Sequence, residues 1–136
     1  MRGIFVDTAG WMACADSADP AHQRAQRARD GGLKGGKILV TTDYVVDETL
    51  TLIRVRLGLA SAESWWGQLE GSSRLRWEWI EAGRAGKARD IFFRHRDKNY
   101  SFTDCTSFVV MKELKLKQVL TTDRHFRQMG FDVLPS

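Results

Sequence analysis

Cysteine is scarce in this chain. Its 136 residues include two, Cys14 and Cys105, too few for the disulfide framework of a small secreted scaffold. Each lies within an apolar helical pattern, which fits a buried thiol in a reducing compartment. Proline is equally rare, with two residues, and no repeat, low-complexity segment or linker is visible. No apolar run approaches the roughly 18 residues of a membrane-spanning helix. The first residues lack the charged, then apolar, then small-residue order of a secretion signal. The expected setting is therefore cytoplasmic, with no membrane partner. Histidines and cysteines at zinc-ligand spacing are missing, as is a Gly-x-Ser-x-Gly nucleophile elbow. Gly31 to Lys37 falls short of a phosphate-binding loop, because Ile38 stands where a hydroxyl residue belongs and a strand follows, not a helix.

What is present is a core and a charge surplus. The chain is 43% hydrophobic and 28% charged, enough for one domain spanning residues 1–136. Its 21 Lys and Arg exceed 17 Asp and Glu, giving +4, and the pI near 9.3 leans toward a polyanionic partner.

Strand-like and helix-like stretches alternate. Gly3 to Val6 is a short buried strand ending at Asp7, and Trp11 to Ala15 a brief helical turn. Asp19-Pro20 opens a helix that breaks at Asp30-Gly31-Gly32. Lys37 to Thr41 is a strand, and Thr42 or Asp43 caps a long helix to Leu57 with the stripe Val46, Leu50, Ile53, Leu57. Another helix runs from Ser61 to Gly71. Leu75, Trp77 and Trp79 alternate with Arg76 and Glu78, as on a half-exposed edge strand. Ala82 to Arg96 and Ser101 to Leu116 are helical, Gln118 to Thr122 a strand, Asp123 to Met129 a short helix, and Asp132 to Leu134 a last strand. This order predicts an α/β domain with a mostly parallel central sheet of about five strands flanked by helices.

Ligands of such sheets sit at the carboxyl ends of the strands, and acids collect there. Asp7 ends the first strand and Asp123 the fourth. Asp104 lies in the first turn of a helix that leads into a strand, so its N-terminus meets the same edge. On the helix after the second strand, Asp47, Thr51 and Arg54 form a water-facing stripe and Asp43 suits a cap. Glu48, between Val45 and Leu52, lies nearer the packed side. Each aspartate alone is explicable as a helix or turn cap, and Ser101-x-x-Asp104 reads as a capping box. Jointly, clustered carboxylates require a counter-charge. A hard cation, Mg²⁺ or Mn²⁺, takes oxygen ligands and shares phosphate oxygens, which suits phosphodiester hydrolysis beside a basic surface.

The stretches Ile4-Phe-Val-Asp7-Thr8, Thr42-Asp-Tyr-Val-Val-Asp-Glu48, Ser101-Phe-Thr-Asp104-Cys and Leu120-Thr-Thr-Asp123-Arg-His-Phe resemble the PIN-domain family. Within it, they resemble the VapC-type ribonuclease toxins. The resemblance implies a metal-dependent endoribonuclease with a four-acid site on Asp7, Glu48, Asp104 and Asp123. Asp7 and Asp104 would be metal ligands, Glu48 a ligand or water-orienting base, and Asp123 a supporting or second-metal ligand. Thr8, Thr121 and Thr122 would supply hydroxyls. It also implies an antitoxin partner and a homodimer.

The rival reading is a non-catalytic RNA- or protein-binding domain whose acids are structural caps. A haloacid-dehalogenase-type phosphotransfer site is disfavoured because Ala9 stands where a second aspartate is needed. His22, His95 and His125 read as surface or packing residues, although His125 is close enough to Asp123 to approach the site. Trp65, Trp66, Trp77 and Trp79 fit a core or an interface better than base stacking. The arginines of Arg84 to Arg96, with Lys87 and Lys98, fit a solvated helix face as well as an RNA-holding one.

Overall fold

Three consecutive apolar side chains, Ile4, Phe5 and Val6, are fully buried, and the strand they form is the centre of the molecule. The computed structural model describes residues 1–136. The elements in chain order are β1 (Gly3–Val6), α1 (Thr8–Ala15), α2 (His22–Lys34), β2 (Ile38–Thr42), α3 (Asp43–Leu57), α4 (Leu59–Gly71), β3 (Leu75–Glu78), α5 (Ala82–Arg94), α6 (Phe102–Glu113), β4 (Gln118–Leu120), α7 (His125–Gln128) and β5 (Asp132–Leu134). The sheet runs β3-β2-β1-β4-β5, and every pairing is parallel. This is the expected fold class, and β3 is an edge as its alternation implied.

The strand order contains one reversal. The chain moves outward from β1 through β2 to β3, then crosses back to lay β4 on the other side of β1. The carboxyl ends of β1 and β4 therefore border a topological switch point, where crevices open in such sheets. Val6 is in register with Leu120, so Asp7 and Thr121, each one residue further on, emerge side by side.

Helix α6 fills the space above this edge. Cys105 through Met111 are all buried, so the middle of the helix is enclosed on every side. Its front, Ser101 to Asp104, and its last residues, Lys112 and Glu113, reach the surface. Helix α1 begins directly over the end of β4: a Cβ on Gly10 would lie 2.0 Å from the Leu120 carbonyl oxygen. Only glycine permits that approach.

Some boundaries depart from expectation. Helix α1 starts at Thr8, earlier than Trp11, because the Asp7 side chain caps it. Helix α2 starts later, at His22, and runs through Gly31-Gly32 to Lys34. A Cβ at Gly32 would meet the Ile4 side chain at 2.4 Å, so the helix packs against β1 at Gly32 more closely than a larger residue allows, and the pair stays helical despite its weak propensity. Helix α4 begins at Leu59 rather than Ser61. Helices α5 and α6 end earlier than read, at Arg94 and Glu113.

Candidate active site

A continuous chain of hydrogen bonds links the acids of the switch point. Asp7 is the N-cap of α1, in extended conformation, and its Oδ1 accepts the Gly10 N–H at 2.8 Å. Its Oδ2 accepts the Thr121 hydroxyl at 2.8 Å. The Thr121 oxygen in turn accepts the Asp123 N–H at 2.9 Å, and Asp123 Oδ1 accepts the His125 N–H at 3.0 Å. His125 closes the circuit: its Nδ1–H donates to Asp104 Oδ2 at 2.8 Å and lies 3.2 Å from Asp123 Oδ2. Asp104 is held from its own helix as well. Its N–H donates to Ser101 Oγ at 2.9 Å, and its Oδ2 accepts the Ser101 N–H at 3.1 Å, a complete capping box. The box aligns the acid; it does not use up both carboxylate oxygens.

Burial dominates the electrostatics of Asp7. Removing its carboxyl from water pushes its pKa up from 3.8 to about 7, against the Gly10 N–H and Thr121 hydroxyl, which favour the charge. The neighbouring charges of Asp104 and Asp123 push in the same direction as burial.

Asp7, Thr8, Glu48, Asp104, Thr122 and Asp123 line one cleft of about 230 Å³. Thr121 lies beneath it, buried. Glu48 is exposed, not on the packed side of α3. The buried face of that helix is Val45, Val46, Thr49 and Ile53, which turns Glu48, Leu52 and Arg56 toward the cleft. Asp47 is exposed, as its stripe implied. Asp43 does not cap α3. Thr42 does, accepting the Val45 N–H at 3.1 Å, while Asp43 Oδ1 accepts the Ile80 N–H at 2.8 Å and ties α3 to the end of β3.

The donor set fits a hard divalent cation. Three carboxylates from separate segments meet in one polar cleft, and Asp104, Asp123 and His125 offer ligand atoms within 4.8 Å of one another. The Thr8 hydroxyl is buried beside them without a partner, an unusual state for a polar atom unless a ligand satisfies it.

His125, expected at the surface or in packing yet near enough to Asp123 to approach the site, bridges two of the acids. Its only sequence signal was nearness to Asp123. Arg56 and Asp19 also line the cleft, although the sequence marks Asp19 only as a helix start and Arg56 not at all. They reach it from α3 and from the loop before α2, a convergence that periodicity does not reveal.

The PIN domain profile matches residues 4–132. The chain belongs to the PIN-domain family. Among curated proteins this PIN domain is similar to the 23S rRNA-specific endonuclease VapC20 of Mycobacterium tuberculosis, in strains CDC 1551 and H37Rv. In both, identity is 32% over 130 residues, covering 94% of this chain and 95% of the relative. It is thus a homologue of a VapC-type toxin. The crystal structure of M. tuberculosis VapC20, described as a toxin cleaving the sarcin-ricin loop, superposes with a TM-score of 0.83 over 94% of this chain and 95% of that one. FitAcB from Neisseria gonorrhoeae shares the fold, with a TM-score of 0.64 at 19% identity over 96% and 95% of the two chains.

Proposed function

We propose that this PIN domain is a divalent-metal-dependent endoribonuclease acting as the toxin of a toxin–antitoxin pair. Asp7, Asp104, Asp123 and Glu48 are its acidic centre, with Thr8, Thr121 and Thr122 as supporting hydroxyls. The observation that carries the reading is the meeting of Asp7, Asp104 and Asp123 at the switch point, joined through Thr121 and His125. Mg²⁺ or Mn²⁺ is the cation this oxygen-rich set suits. Bound there, it would supply a lowered pKa for an attacking water and neutralise charge on the scissile phosphate.

The protein groups have separable tasks. Both oxygens of Asp7 are fixed before any ligand arrives, so its orientation costs nothing at binding. Asp104 has one oxygen committed to Ser101 and His125, leaving the other to a ligand. His125 is a positioning residue that sets the separation of Asp104 and Asp123. Glu48, exposed at the rim, orients the attacking water and takes its proton. The Thr8 hydroxyl donates to a phosphate oxygen.

A second reading keeps Asp7 and Asp104 as caps of a binding domain, since both do cap helices. Asp7→Asn separates the two, because asparagine still caps but carries no charge. Purified protein is incubated with total RNA and Mg²⁺, with EDTA, and as the Asp7→Asn and Asp104→Ala variants. Cleavage lost in all three controls is expected; cleavage surviving both chelation and substitution refutes the nuclease site. As the similar VapC20 is named for 23S rRNA, ribosomal RNA is the first defined substrate to offer. An antitoxin partner and a homodimer belong to the same proposal. Light scattering tests the latter against the chain mass of 15.5 kDa.

A further inference from the structure

The basic residues of this protein divide into those already neutralised and those that are not. Arg84 is committed to Glu78, Glu113 and the Trp79 carbonyl. Lys87 pairs with Glu113, Arg89 with Asp90, and Lys98 with Asp97. Much of the basic stretch from Arg84 to Lys98 is thus spent within the protein. Other basic residues, Arg94 and Arg96 included, form no ion pair, and of these Arg24, Arg124 and Arg127 stand together. All three are exposed, and they line a single cleft of about 380 Å³.

That cleft is continuous with the acidic one. Asp19, Thr122 and Asp123 belong to the walls of both. Asp19 Oδ1 accepts the Ala21 N–H at 2.8 Å, and neither Asp19 nor Asp123 forms an ion pair with the three arginines. Arg56, on α3, also lines the acidic cleft and is without an ion pair. Unpaired guanidinium groups recognise phosphate through forked hydrogen bonds. Gathered beside a carboxylate cluster that would repel RNA on its own, they supply the attraction the acids lack.

We propose that the cleft of Arg24, Arg124 and Arg127 is a phosphate-binding site for the RNA backbone flanking the scissile bond. The strand enters over the Thr122–Asp123 rim. The inference rests on the nuclease reading for its choice of polyanion, but its test does not require cleavage. Binding of a fluorescently labelled single-stranded oligoribonucleotide is measured in EDTA over a range of salt concentrations. The compared proteins are wild type, the triple variant R24Q/R124Q/R127Q, and a control R76Q/R89Q, whose arginines are paired elsewhere. Loss of three phosphate contacts lowers the slope of log affinity against log salt by about two. The control is expected to keep the wild-type slope, and surface glutamines leave the thermal midpoint nearly unchanged.

A triple variant with wild-type affinity and slope overturns the inference, as does a control that loses as much as the triple variant. In the first case, EDTA-sensitive cleavage of total RNA by the wild type leaves the nuclease reading standing. Conversely, arginine-dependent binding by a wild type that never cleaves RNA removes the nuclease reading and keeps the cleft.

Discussion

Thr121 joins two of the acids through one oxygen, donating to Asp7 and accepting from the Asp123 backbone. Valine at this position keeps the shape but leaves a buried carboxylate oxygen and an amide without partners. Thr121→Val is expected to lower stability by about 1–3 kcal/mol, read by urea denaturation, with Thr121→Ser close to wild type. Asp7 gives a pH signature. Folded, it holds its proton to about 7, against 3.8 for a free aspartate, so the folded state binds more protons between those values. In EDTA its contribution is fully present below 3.8 and lost as pH rises through about 7, a fall on the order of 4 kcal/mol at most. Urea midpoints at about pH 5 and pH 8 check this, and the same slope in Asp7→Asn would assign it to other groups. At this scale Asp7 and Asp104 were legible in the sequence because one follows a strand directly and the other opens a helix; Asp123 lies three residues beyond Leu120, where β4 ends short of the expected Thr122. His125 was not legible, since its contact with Asp104 spans 21 positions and depends on two elements meeting.

Helix α1 shows why elements position residues. Its first turn is pressed onto the last carbonyl of β4 at Gly10, and the same turn supplies the N–H that holds Asp7. Gly10→Ala places a methyl against backbone that has no room to withdraw. The expected loss is about 3 kcal/mol, together with weaker Mg²⁺ binding by titration calorimetry. A stable variant with unchanged metal affinity would show that the close approach is incidental. The start of α1 was hard to read because Thr8-Ala9-Gly10 carries no apolar period, and its cap is a residue already used to end β1. Glu48 was misjudged for a related reason. Its neighbours Val45 and Leu52 suggested burial, but the buried stripe passes through Thr49, a polar residue whose hydroxyl is satisfied by the Val45 carbonyl at 2.7 Å. By contrast, the edge position of β3 followed directly from its alternation, whereas the burial of α6 from Cys105 to Met111 includes Thr106 and Ser107, which no apolar period marks.

Across the whole molecule, the parallel sheet gathers every strand's carboxyl end on one side. A cation held there, as proposed, would bind only the folded chain and would compete with the Asp7 proton. Saturating Mg²⁺ at about a hundredfold over its dissociation constant is expected to add about 2.7 kcal/mol, more at pH 8 than at pH 5. Thermal midpoints with and without EDTA measure this, and no difference at either pH would argue against a site built from these carboxylates. The same topology separates the two chain ends. Met1, largely exposed, precedes the amino end of β1. Strand β5 instead delivers Pro135 into the wall of the arginine cleft. An affinity handle fused before Met1 therefore hangs from the far side of the protein. One appended after Ser136 would start beside the arginine cleft, where an acidic tail would compete with RNA for the arginines and a histidine-rich one would compete with the proposed site for its cation.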